Sequence, residues 1–176
     1  GYSLSPPVEY NGHTYTAISL PSKDTGGLSD REAFLLAEAF ANQLGGHITT
    51  INDQAENDFL KDYLANTIKN YRAIIGLNDF EQEGTYSWID GQPLEYTNWD
   101  TNGPNSHGDE NARYNSVVIS SNGHWEEVSE WNVTYYPIIL ELPAGITQED
   151  LDNVEMTTVT NNAILNRWWD PDVNHW

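Results

Sequence analysis

Between Trp99 and Val128 the chain reads W-D-T-N-G-P-N-S-H-G-D-E-N and, after a short extended run, N-G-H-W-E-E-V. Asn105, His107, Asp109, Glu110, Glu126 and Glu127 offer amide, imidazole and carboxylate donors there, on a backbone bent by Gly and Pro. Oxygen donors converging from a bent loop and a returning strand suit a hard cation, since Ca2+ takes about 6–8 oxygens at roughly 2.3–2.6 Å. The stretch reads as an open calcium site. Solvated acidic surface is the competing reading in so acidic a chain, and the spacing together with the composition favours the metal. Glu126 and Glu127 adjoin on an extended run, so their side chains start toward opposite faces. A lone imidazole among carboxylates suits calcium poorly, which makes His107 a contact to ligand or water.

Catalysis finds little support in the same residues. Carboxylate pairs that hydrolyse glycosides stand about 5–10 Å apart across a cleft, and the neighbours Glu126 and Glu127 are not such a pair. The five histidines are scattered without the H-E-x-x-H spacing of a zinc hydrolase. With no cysteine, thiol chemistry, zinc thiolates and disulfides are all excluded.

Whatever positions these donors has to be a folded domain of ordinary size, because 176 residues can bury a core without staples. Seven Trp, 10 Tyr and 4 Phe supply its interior. Asp and Glu number 27 against 7 Lys and Arg, a formal net charge of -20 that repels nucleic-acid phosphates and anionic lipid. No apolar run approaches the roughly 20 residues that span a bilayer, and the opening G-Y-S-L-S-P-P lacks the regions of a signal peptide. Nucleic acid and membrane insertion are therefore not expected.

In chain order, Asn11-Gly12 between two Tyr- and Thr-rich runs predicts an edge hairpin. Ser29 with Glu32 opens a helix whose inner face is Ala33, Phe34, Ala37, Phe40, Ala41 and Leu44, before Gly45-Gly46. His47 to Ile51 is a brief strand, and Asp53 with Glu56 opens a second, shorter helix with Phe59, Leu60, Tyr63 and Leu64 inside. Strands come next at R-A-I-I-G-L-N-D, Tyr86 to Ile89, Asn115 to Ser120, His124 to Val128 and Tyr136 to Leu142. Two early helices and several late strands around a long polar segment make an α+β domain with one functional loop on a rigid frame.

L-G-G-H-I-T-T-I-N-D-Q-A-E-N, I-G-L-N-D, E-G-T-Y-S-W-I-D-G, Y-T-N-W, G-P-N and W-E-E-V, in this order and spacing, resemble the C-type lectin domain over roughly Tyr10 to Leu142. The resemblance implies a C-type lectin-like fold, two helices with antiparallel strands and a long loop carrying calcium and sugar. By it, Asn105, Glu110, Glu126 and Glu127 hold the principal calcium and the sugar hydroxyls, and Asn102, Asp100 or Asp109 are the donors that could fill the gap left at Gly103. Asp79 and Glu83, with Glu110, match an auxiliary calcium site, against which stands the ordinary fate of such charges as a solvated acidic loop. Trp99 and Trp125 fall in the core under the loop.

Departures from that pattern bear on selectivity. Gly103 replaces the Glu or Gln expected before Pro104, Asn111 stands where Asp is common, and Glu126 puts an acceptor where the family has an amide. Disulfide positions of the family correspond to Ala41 with Leu140 and Ala112 with Ser129, and their absence points to a secreted or surface-attached bacterial member. The expected activity is calcium-dependent binding of carbohydrate, a cell-surface glycan or exopolysaccharide, in an extracellular adhesin with neighbouring modules. Binding of a protein, or of ice, through the same face is the alternative that Gly103 favours.

Residues 143–176 lie beyond the resemblance and carry no assignable motif. Their three Trp, all in the last nine residues, argue against a plain linker and for packing on the domain or a contact with a neighbouring module. Asn132-Val133-Thr134 is a glycosylation sequon if the source is eukaryotic.

Overall fold

In the computed structural model, residues 2–21, 30–101, 103–104, 114–129 and 135–167 are described. Asn11 and Gly12 both take positive φ, 48° and 84°, the geometry of a tight hairpin turn that matches strand twist. They join β2 (Val8–Tyr10) to β3 (His13–Ser19), and β1 (Ser3–Leu4) pairs with the far end of β3. The hairpin lies at the edge of the sheet as expected, with β1 and β2 outermost and β3 joining them to the rest. The buried β3 run Thr14 to Ile18 needs cover on both edges, and β9 (Ile138–Pro143) supplies the second one in antiparallel register from His13↔Pro143 to Ile18↔Ile138.

From β9 the sheet continues through β5 (Arg72–Asn78), β7 (Tyr114–Ser120) and β8 (Trp125–Ser129). The β9–β5 contact is the parallel one, and the short strands β4 (His47–Ile48) and β6 (Ser87–Trp88) pair with β9 and β5. The two faces of this mixed sheet bury separate cores. One holds Phe34, Ala37, Phe40 and Ala41 of α1 (Asp30–Gln43), as the helical spacing predicts, with Ile18, Ile74 and Leu140. Ala41 and Leu140, the first position pair matching a family disulfide, are both fully buried there, whereas Ala112 lies outside the described residues.

The other core holds Leu60, Tyr63 and Leu64 against Tyr15, Trp88, Val117 and Trp125. Helix α2 (Gln54–Tyr63) starts at Asp53, whose Oδ1 accepts from the Glu56 amide at 2.8 Å. The Glu56 carboxylate does not close a reciprocal box. It accepts instead from the Asn52 amide at 2.8 Å and from the Tyr15 hydroxyl, tying the helix to β3. A π-helical turn over Leu64–Ile68 ends α2 and delivers the chain to β5.

Beyond β9 the structure contains two helices that the apolar pattern does not announce, α3 (Gln148–Asp152) and α4 (Met156–Arg167). Thr147 and Asp150 form the capping box that starts α3, each side chain accepting from the other's amide at 3.2 and 2.8 Å. Leu151 and Val159 are fully buried in the α1 core. Residues 144–163 thus cover the outer side of α1.

Candidate functional site

At the end of β5, Gly76, Leu77 and Asn78 lead into Asp79, which is only 2% exposed. The Asp79 amide donates to the Asn115 carbonyl at 3.2 Å, and its Oδ2 accepts from the Gly84 amide at 2.9 Å. Gly84 has φ 83°, a conformation a side chain would strain, and this tight return turns its N–H onto the carboxylate. Asp79 Oδ1 is buried with no hydrogen-bond partner among the described residues. Burial above all, and then the charges of Glu83 and Glu127, push the Asp79 carboxyl up from 3.8 to about 7. Glu83 itself is exposed on the loop.

Glu127 reaches this region from β8. It is 9% exposed, and its Oε2 accepts from the Tyr86 hydroxyl at 2.7 Å, the same hydroxyl that lies 2.9 Å from the Tyr114 carbonyl. Burial and the bond to Glu127 raise the Tyr86 phenol well above its ordinary range, so it stays a donor at all relevant pH. A buried carboxylate that accepts from a phenol, near a second with no donor on one oxygen among the described residues, is an arrangement that a cation would stabilise.

Glu126 faces the other way. Its Oε2 lies 3.0 Å from Arg72 Nη2 and its Oε1 accepts from Ser120 Oγ at 3.2 Å. Strand alternation puts Val118, Ser120 and Arg72 beside Glu126, and Val117 beside Glu127. The two acids are therefore not brought together as side chains. Asn105, His107, Asp109 and Glu110 lie outside the described residues. Among the described residues no group of three or more His, Asp or Glu side chains is placed to hold a metal.

The aromatic floor beneath is continuous. Trp125 is fully buried, and Trp99, Trp88 and Tyr96 meet its ring edge to face at 5.6–5.8 Å between centroids. Trp99 and Trp125 form a parallel bridge in which the Asp100 amide donates to the Trp125 carbonyl at 2.9 Å. Gly103, joined to Pro104 by a cis peptide bond, rests on that floor. A Cβ at this position would stand 3.0 Å from Trp99 Cε3. A side chain added here would press on the indole, which would have to give by a few tenths of an ångström.

Two members of this arrangement lack any local signal. Tyr86 sits in E-G-T-Y, where its alternation marks a strand and nothing marks a bond to Glu127. Arg72 and Glu126 are paired only by the β5–β7–β8 register.

Residues 31–136 match the family described as Lectin C-type domain. The chain is 31% identical over 122 residues to Lectin BRA-3 of Megabalanus rosa, covering 68% of this chain and 65% of that protein. It is 37% identical over 93 residues to Collectin-10 of Gallus gallus, covering 52% and 32%, and 31% identical over 103 residues to Pulmonary surfactant-associated protein D of Sus scrofa, covering 58% and 26%. It spans between 26% and 65% of the length of these curated relatives. Among solved structures, the cow carbohydrate-recognition domain of CD23 in the presence of GlcNAc2Man3 oligosaccharide superposes with a TM-score of 0.58 at 23% identity, covering 80% of this chain and 95% of that one. A calcium-independent type II antifreeze protein superposes with a TM-score of 0.57 at 18% identity, covering 78% and 92%.

Proposed function

The chain belongs to the C-type lectin domain family, and from that premise we propose that it binds carbohydrate through a calcium ion held at the long-loop end of its sheet. Members of this family are binding proteins, and the chain is one of them rather than an enzyme. The carrying observation is the buried Asp79 Oδ1 atom, which has no donor among the described residues and lies in the field of Glu83 and Glu127. An oxygen-rich, partly unsatisfied and net-negative pocket fits Ca2+ better than it fits water or a basic side chain.

In this reading Asn105, Glu110 and Glu127, with Asp109 nearby, hold the principal ion that meets the sugar, and Asp79 and Glu83, with Glu110, hold a second ion beside it. The Glu126 carboxylate is engaged by Arg72, which leaves Glu127 as the acid that β8 brings toward the ion. When bound, calcium supplies exchangeable coordination positions for two neighbouring sugar hydroxyls. The chain's own carboxylates and amides orient those hydroxyls, with His107 at the ligand's margin.

The setting we propose is extracellular, in a secreted or surface adhesin that engages a cell-surface glycan or exopolysaccharide. No helix among the described residues is long and apolar enough to cross a membrane. The named relatives are animal proteins, so a bacterial source rests on the cysteine-free composition alone. Residues up to Leu142 are taken as the lectin unit and 143–176 as an extension of it.

A second reading, a protein or ice as ligand, is favoured by Gly103, where an added side chain would press on the Trp99 indole. A glycan array with and without chelator, read beside calcium calorimetry, separates the two. Sugar signal lost in chelator is expected; calcium heat with no glycan signal moves the assignment to a protein partner, and no calcium heat removes the proposal.

A further inference from the structure

At the start of β5, Tyr71 is 61% exposed and, with Tyr135 at 49%, is one of the two large apolar side chains open to solvent among the described residues. Single exposed tyrosines are ordinary, but this one is part of a built corner. Its ring meets Tyr136 at right angles, 89° and 6.3 Å between centroids. The Arg72 guanidinium stands 5.5 Å from the centre of the Tyr71 ring, with Nη1 3.4 Å from the Tyr136 hydroxyl and Nη2 3.0 Å from Glu126. The backbone is pinned as well, since the Tyr71 amide donates to Asn70 Oδ1 at 2.7 Å and its carbonyl accepts from the Ser121 amide at 2.9 Å.

We propose that this corner of Tyr71, Tyr136 and Arg72 is a second, metal-independent saccharide subsite that seats one neutral pyranose unit against the Tyr71 ring. The choice of a saccharide as ligand class rests on the carbohydrate-binding reading above; the corner itself stands on its own geometry. A pyranose offers an apolar C–H face and a rim of hydroxyls. The corner offers the complement: an aromatic surface ordered in advance, bordered by a planar donor in Arg72, a carboxylate in Glu126 and a phenol in Tyr136. Tyrosine holds such a surface at low entropic cost because only two torsions are fixed.

Other occupants fit worse. A stable protein interface needs about 800 Å² from each partner with several buried apolar anchors, and two exposed tyrosines fall short of that. Nucleic acid and anionic lipid are repelled by a net charge of -20. An anionic sugar would have to take Arg72 from Glu126, whereas a neutral one leaves that pair intact. Arg72 begins β5 and Asp79 follows its last residue, about 23 Å away at about 3.3 Å per residue. One extended glycan, or two neighbouring chains, can therefore engage both places and gain avidity without any new contact.

The test is an NMR titration of the intact chain in EGTA with methyl mannoside, methyl galactoside and methyl N-acetylglucosaminide. The amides of Tyr71, Arg72 and Ser121 are expected to shift with at least one of them. Y71A and Y71L, two substitutions at an exposed position, are each expected to weaken that response by about fivefold or more, and Y71L preserves apolar bulk, so a merely structural role would survive it. No shift at these amides with any of the three glycosides, or an undiminished response in both variants, overturns the subsite. Repeating the titration in calcium keeps the two proposals apart. A calcium-dependent response around Asp79 with silence at Tyr71 leaves the lectin reading standing and removes the subsite; a response at Tyr71 with none around Asp79 supports the subsite and removes the calcium-dependent reading.

Discussion

The Tyr86 hydroxyl donates to Glu127 Oε2 at 2.7 Å, so the acid that β8 brings to the loop end is held by a phenol from the neighbouring turn. A hydrogen bond to a charged group is worth about 1.5–3 kcal/mol. Y86F is expected to lower stability by about 2 kcal/mol in chelator and by less in calcium, where the ion neutralises Glu127. Denaturant titrations with and without the metal read the difference, and equal losses would separate Glu127 from the ion.

Asp79 gives the site a pH dependence with a definite sign. Its folded value of about 7 lies above the ordinary 3.8, so between those values the metal-free fold retains a proton that the unfolded chain has released. The contribution of Asp79 to metal-free stability is therefore largest at low pH and declines as pH rises through that window. Calcium has to displace the proton, and its apparent affinity is expected to rise up to tenfold per pH unit below about 7 and level off above. D79N should erase the pH dependence and most of the calcium response while raising the metal-free melting temperature above neutrality. Calorimetry at several pH values, in buffers of different ionisation enthalpy, measures the proton released.

Glu126 is a partner of Arg72, with both side chains about one-third exposed. Such pairs contribute on the order of 0–1 kcal/mol. E126Q is expected to leave calcium affinity within about twofold and to cost less than about 1 kcal/mol. A tenfold loss of affinity in calorimetry would return its carboxylate to the ion.

Gly103 cannot be given a side chain without moving the Trp99 ring, because the added Cβ starts 3.0 Å from Cε3. Overpacking of this kind costs about 1–3 kcal/mol. G103A and G103E are both expected to lose stability in that range by denaturant titration, together with a change in tryptophan near-ultraviolet dichroism. A silent G103E with raised calcium affinity would show that the indole yields freely.

Leu151 carries the C-terminal cover onto α1 and is fully buried. L151A should cost about 2–5 kcal/mol and speed hydrogen exchange in α1. Loss confined to residues beyond Pro143 would mean that the cover contributes nothing to the domain.

The parts of this molecule that sequence makes legible are those whose information is local. Phe34, Ala37, Phe40 and Ala41 repeat at the helical period, Asn11-Gly12 demands a positive-φ turn, and Asp53 caps the helix that begins at Gln54. Asp79 and Glu127 are visible as residue types suited to a cation. Their environment is not, because the Tyr86 bond and the Arg72 partner of Glu126 are set by cross-strand register across a bulged sheet. The cover escapes pattern reading for another reason. Of the described side chains of α4, Met156, Val159 and Ala163 turn to the core, too thin an apolar stripe among Thr and Asn to stand out.

The rung His13↔Pro143 joins the beginning of β3 to the end of β9. Tension applied through the chain on either side of this pair would open the sheet like a zipper, one rung at a time, rather than shear all its bonds together. The elements beyond that rung, the β1 and β2 segments on one side and α3 with α4 on the other, must peel away before the zipper is loaded. Extension under such a load would thus come from the flanks first, with the Asp79 and Glu127 end the last part reached.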